Sequence, residues 1–124
     1  MLFTPILNFV EPCMLFHHSI ISVNISFSGK RWVECRSQSQ ISIPDQIDME
    51  TQVLDLSGNN LQILPREVFA RHGLLNLQKL HLSNCKIGQI DPTAFRGLTN
   101  LVEINLAGNL LTTIPTATFA GNFP

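Results

Sequence analysis

Three segments of this sequence superimpose on one another, and that repeat restricts the possible folds more than any other feature. They are VLDLSGNNLQILPREVF from Val53, KLHLSNCKIGQIDPTAF from Lys79 and EINLAGNLLTTIPTATF from Glu103. Aligned on Asn59, Cys85 and Asn109, they place Leu54, Leu80 and Ile104 at one position and Leu56, Leu82 and Leu106 at the next apolar one. Leu61, Ile87 and Leu111 follow, then Leu64, Ile90 and Ile114, and finally Phe69, Phe95 and Phe119. The anchors are 26 and 24 residues apart. In a chain that is 44% hydrophobic, fifteen apolar residues at fifteen positions would arise by chance on the order of 10⁻⁵ or less. Coincidence is excluded.

The spacing and the L-x-L pattern predict a leucine-rich-repeat solenoid, whose repeats run to about 20–29 residues. Side chains of a strand alternate between faces, so each L-x-L turns its leucines inward and the residue between them outward. Parallel strands from successive repeats stack about 4.8 Å apart, and one repeat cannot bury its apolar set without neighbours. The fold expected is a horseshoe segment with a parallel sheet on its concave side, helical or irregular turns opposite, three repeats and a partial amino-terminal cap. The boundaries expected are 1–28 for an atypical apolar start, 29–50 for the partial cap, and 51–121 for repeats at about 51–76, 77–100 and 101–121. Residues 122–124 are expected to be a truncated, uncapped end. An Asn amide both donates and accepts, so Asn59 and Asn109 are expected to bridge backbone groups at the turns, in a ladder where Cys85 stands as a small buried thiol. Phe69, Phe95 and Phe119 are expected to stack as a spine on the convex side.

The outward strand positions are the candidate binding residues. They fall into columns: Val53, Lys79 and Glu103; Asp55, His81 and Asn105; Ser57, Ser83 and Ala107. A curved solenoid presents such columns as an extended concave surface. Their charge is mixed, which suits a protein partner. Eight Lys and Arg against nine Asp and Glu give a net charge of -1, leaving no basic excess to hold nucleic acid. Asp55, His81 and Asn105 share one column, yet a solvent-facing row on an open surface is not expected to be catalytic. No catalytic residue, small-molecule substrate or cofactor is expected.

The first 28 residues hold one charged side chain, Glu11, but Pro5, Asn8, Pro12 and His17–His18 interrupt the apolar run. No stretch reaches the roughly 18 apolar residues of a membrane span, and the basic start of a secretory signal is missing. Cys13 with His17 and His18 lacks a second ligand pair at zinc spacing, so no metal site is expected. Asn24-Ile25-Ser26 is a glycosylation acceptor if the chain is secreted. The cysteines, Cys13, Cys35 and Cys85, are odd in number. Nothing between Cys13 and Cys35 suggests a second cap strand, so a well-placed bridge between them is not expected.

Beyond the repeat itself, LLNLQKLHLS from Leu74 and AFRGLTNLVEINLAGN from Ala94 resemble the kekkon-type family of leucine-rich-repeat and immunoglobulin cell-surface proteins. SGKRWVEC and IPDQIDMETQVLDLSGNNLQ are similar to that family's cysteine-capped start and first repeat, and the likeness spans about three quarters of the chain. RGLTNLVE and LLNLQK include exposed positions that packing does not dictate. The resemblance implies an extracellular or cell-surface recognition protein or signalling modulator, with a protein partner such as a receptor or its ligand. The family has a signal peptide, both caps, an immunoglobulin domain and one membrane helix. Here Cys35 matches the last cap cysteine, while the close-spaced cysteines expected before Gly29 and everything after the third repeat are missing. The alternatives are an intracellular leucine-rich-repeat scaffold or adaptor, and a gene fragment without a function of its own.

Overall fold

The computed structural model describes residues 11–12, 30–114 and 117–119. Cys13, His17, His18 and Asn24 lie outside them. A parallel sheet of five strands runs through the repeats in the order β1 (Glu11–Pro12), β2 (Trp32–Glu34), β3 (Val53–Asp55), β5 (Lys79–His81) and β7 (Glu103–Asn105). A smaller sheet pairs β4 (Ile63–Leu64) with β6 (Gln89–Ile90), and one short helix, α1 (Val68–Arg71), lies on the convex side. No helix among the described residues is long and apolar enough to cross a membrane. The chain is a leucine-rich-repeat solenoid.

Strands β2, β3, β5 and β7 are each three residues long because only the central residue must point inward. Leu54, Leu80 and Ile104 stand in register across β3, β5 and β7, and the first two are fully buried. Leu56 and Leu82, two residues on, are buried as well. The main chain then turns away through a left-handed residue at an equivalent point after β2, β3, β5 and β7: Ser37, Gly58, Asn84 and Gly108. This conformation costs little for glycine and is tolerated by Asn. A Cβ at Gly58 would also come 2.5 Å from the Ser37 hydroxyl, so stacking as well as φ keeps that turn free of a side chain. Across the turns, amides of one layer donate to carbonyls of the next: Ser37 N to Ser57 O, Gly58 N to Ser83 O and Asn84 N to Ala107 O, each at 2.9 Å.

On the convex side, Phe69 and Phe95 stack with centroids 5.8 Å apart and planes 9° from parallel. Phe95 and Phe119 stack at 5.1 Å and 19°. The apolar sets of the first two repeats are closed, whereas Ile104, Leu106, Leu111 and Phe119 are only partly buried and Ile114 is 41% exposed. The cause is geometric: the sets behind β3 and β5 are covered from both sides by neighbouring layers, and β7 has a neighbour on one side among the described residues.

Two features of the amino-terminal layer stand out. The WVE strand is a full layer of the sheet, paired Trp32 to Val53, Val33 to Leu54 and Glu34 to Asp55, and β1 adds a further parallel strand beside it. Cys35 is fully buried and disulfide-bonded; the expectation about a Cys13–Cys35 bridge falls on Cys13, outside the described residues. Its side chain takes the inward place that Leu56 takes in the next layer. The Cys85 thiol is free, and Cys13 lies outside the described residues.

Candidate functional site

The outward residues of β2, β3, β5 and β7 form one concave face. Asp55, His81 and Asn105 stand side by side in register, continued by Glu34 on β2. Lys79 and Glu103 are likewise adjacent. Ser57, Ser83 and Ala107 follow at the start of the turns, and the Ser83 hydroxyl donates to that of Ser57 at 3.0 Å. Val53 is corrected: expected to face a partner, it is 5% exposed. Trp32 and Lys79 flank it in register, and neighbours about 4.8 Å to either side enclose so short a side chain.

The face is charged but largely self-neutralised. Lys79 Nζ lies 3.6 Å from Glu103 Oε1, with the two side chains 41% and 52% exposed. Arg36 bridges two carboxylates, Glu34 and Asp55, at 3.7 Å each. Asp55 also accepts from the Ser57 amide at 2.9 Å. Asp55 thus turns one oxygen to a backbone amide of its own turn and the other toward the Arg36 guanidinium. A polar groove of about 350 Å³ occupies the centre, lined by Arg36, Ser37, Asp55, Ser57, Gly58, His81, Ser83, Asn84 and Asn105. Among the described residues no group of three or more His, Cys, Asp or Glu side chains could hold a metal ion.

Arg36, Ser37 and Asn84 escaped the sequence reading. The signal for the first two was present: WVECRSQ aligns with VLDLSGN at a spacing of 21 residues, which puts Arg36 opposite Ser57 and Ser37 opposite Gly58. Asn84 was visible as the residue that replaces glycine in the middle repeat.

Beneath this face runs the ladder. Asn59 Oδ1 accepts from the Gln38 and Gln40 amides, and its Nδ2 donates to Cys35 O and Leu56 O, at 2.9, 2.9, 2.8 and 2.7 Å. Asn109 does the same one layer pair on, accepting from the Cys85 and Ile87 amides and donating to Leu82 O and Leu106 O. Each Asn therefore ties its own turn to that of the preceding layer. Cys85 supplies one donor at the corresponding place, from Sγ to Leu56 O at 3.1 Å. Burial pushes its thiol above the ordinary value of 9.0, against opposing hydrogen bonds from the Asn59 and Gly58 amides.

That shift gives a signed pH dependence. A thiol whose folded value is raised contributes stability that is complete below its unfolded value and is lost as pH rises through the folded one. Urea midpoints should fall above about pH 9 more steeply in the native chain than in Cys85→Ala, which lacks the titrating group. Parallel slopes in the two would show that the thiol is not held neutral by the fold.

With the geometry in place, the likeness to known proteins is informative. Residues 75–122 match the family model described as leucine rich repeat, and residues 50–71 match a second leucine-rich-repeat model. The chondroadherin-like protein of Mus musculus is 41% identical over 80 residues, which are 64% of this chain and 10% of that protein. Human 5T4, also called trophoblast glycoprotein, superimposes with a TM-score of 0.66 and 29% identity over 73% of this chain and 32% of its own. Toll, in the Drosophila Toll–Spatzle complex, superimposes with a TM-score of 0.66 and 27% identity over 73% of this chain and 12% of that one. The chain thus spans from a tenth to a third of the length of these relatives.

Proposed function

We propose that this segment is a protein-binding module of an extracellular or cell-surface recognition molecule, and that its partner contacts the concave face. The observation that carries the reading is the alignment of outward polar side chains from four adjacent strands into one uninterrupted surface. A surface of mixed, mutually paired charge favours specificity for a shaped protein partner over bulk attraction to a polyanion. Toll, similar in fold, is seen in complex with Spatzle, which supports a protein ligand. The disulfide at Cys35 favours an oxidising compartment over the cytosol, and so weighs against an intracellular scaffold or adaptor. The narrower reading, on the RGLTNLVE and LLNLQK segments, is a kekkon-type cell-surface recognition or signalling-modulator protein whose partner is a receptor or its ligand.

The test is a binding screen of the full chain against an array of secreted and receptor ectodomains, followed by charge variants. Lys79→Glu and Glu103→Lys should each weaken a hit about tenfold or more, while unfolding free energies stay within about 0.5 kcal/mol. The swapped double variant restores the intramolecular pair but presents reversed signs, so its binding should remain weak. Unchanged affinity in all three would remove the concave reading and point to the convex turns around Arg66, Arg71 and Arg96.

A further inference from the structure

The loop that leads from the amino-terminal cap into β3 meets the first repeat at the turn that ends α1. The Met49 side chain lies against Gly73, where a Cβ would come 2.8 Å from its sulfur. Asn76 Nδ2 approaches Met49 O and Glu50 Oε1 at 3.4 Å each. His72, the residue that follows α1, faces its own helix with one ring nitrogen and the loop with the other. Nδ1 lies 2.8 Å from Val68 O and Nε2 lies 3.1 Å from Asp45 Oδ1.

Both groups that face the ring are acceptors. A carbonyl and a carboxylate have no proton to give, so each contact needs an N–H on the ring side. Neutral imidazole has one N–H and one lone pair, whereas the imidazolium has two N–H groups. In the neutral ring, therefore, one contact is a hydrogen bond and the other sets a lone pair against oxygen. Val68 O is the nearer acceptor, so the nitrogen facing Asp45 is the one left without a proton. With the second proton in place, the same ring donates to the helix and forms an ion pair with the loop. The His72 side chain is 23% exposed and that of Asp45 90%, so the proton can come and go without opening the core.

Other charged side chains of the loop and of α1 face elsewhere. Arg71 donates to Arg66 O at 2.9 Å, and Glu67 lies 3.2 Å from Arg96. Asp48 lies 3.5 Å from Arg31, and Glu50 faces Asn76. Among the described residues, Asp45 is the carboxylate within ion-pair distance of the ring.

We infer that His72 is an acid-closed latch between the cap loop and α1: its second proton completes the contact with Asp45 and pins the loop, and loss of that proton releases it. The inference goes beyond the concave reading and does not depend on it. Histidine is the side chain that ordinarily changes charge between about pH 5 and 8, so the latch closes in mildly acidic surroundings and opens above them. The pinned loop runs through Thr51 and Gln52 into β3, so the latch acts on the entry to the first full repeat.

The test is hydrogen exchange of the full chain at about pH 5 and about pH 8, corrected for the intrinsic exchange rate. It is read at the Glu50 and Thr51 amides, which donate to Asp48 Oδ1 and Asp48 O. Protection there should be about two- to fivefold greater at the lower pH, the range that an exposed ion pair contributes. His72→Gln keeps a donor in place of the ring but does not titrate, and it should remove the difference. Asp45→Asn supplies an amide that can donate to the neutral ring or accept from the charged one, and it should remove the difference too. Equal protection at the two pH values in the native chain overturns the inference, as does a gain that persists in either variant. Nitrogen-15 NMR of the native ring gives a reading that needs no variant. Both His72 nitrogens should carry protons at the lower pH, and Nε2 should be the one without a proton at the higher. A ring that keeps the Nε2 proton and loses that of Nδ1, or one whose protonation is the same at both, overturns the latch.

Discussion

Phe95→Ala should lower the unfolding free energy by about 3–5 kcal/mol, the range for truncating a fully buried aromatic ring. Phe95 is wholly inaccessible and is the middle ring of three, stacked on Phe69 on one side and Phe119 on the other. Two ring pairs are lost with one side chain, and each is worth about 0.5–1.5 kcal/mol beyond area burial. The void cannot close by a small shift, because the layers on either side are held at the sheet spacing by their backbone hydrogen bonds. Phe119→Ala should cost less, since that ring is only partly buried. Urea unfolding followed by circular dichroism measures both. A loss below about 1.5 kcal/mol at Phe95 would mean that the convex turns collapse into the gap and that the stack does not set the layer spacing. Binding to a concave partner should change only in proportion to the folded fraction.

The inward half of this fold was legible because packing dictates it. The position of Leu80 between Leu54 and Ile104 follows from the repeat alone, and so does the solenoid. What the repeat cannot encode is how outward side chains deal with one another. Val53 and Lys79 occupy the same column, yet a short side chain between two long neighbours is enclosed and a lysine reaches water. Nor does the pattern reveal that Arg36 lies over Asp55, because the layer containing Arg36 differs in length and replaces leucine by Cys35.

Asn59→Ala should cost about 2–4 kcal/mol, and Asn109→Ala about 1–3, although the two residues make the same four kinds of bond. The difference is access to water. Asn59 is 3% exposed, and its amide donates to the carbonyls of Cys35 and Leu56, residues that are themselves fully buried. Removing the side chain leaves Cys35 O without the bond it has and Leu56 O with only the weak thiol donor of Cys85. The Gln38 and Gln40 amides lose their acceptor too, but they sit nearer the surface and can take water. Asn109 lies in the half-buried third repeat, where solvent can replace more of what is lost. Asn59→Asp keeps both acceptor bonds and sets a carboxylate against two carbonyl oxygens, so it should cost at least as much as the alanine. Asn59→Cys copies what the middle repeat already does at Cys85, retaining one weak donor, and should fall between wild type and Asn59→Ala. Equilibrium unfolding gives the order, and hydrogen exchange at the Gln38 and Gln40 amides gives the place, with faster exchange expected there than at the Cys85 and Ile87 amides. An Asn109→Ala loss equal to or larger than that of Asn59→Ala would show that burial does not set the strength of the ladder.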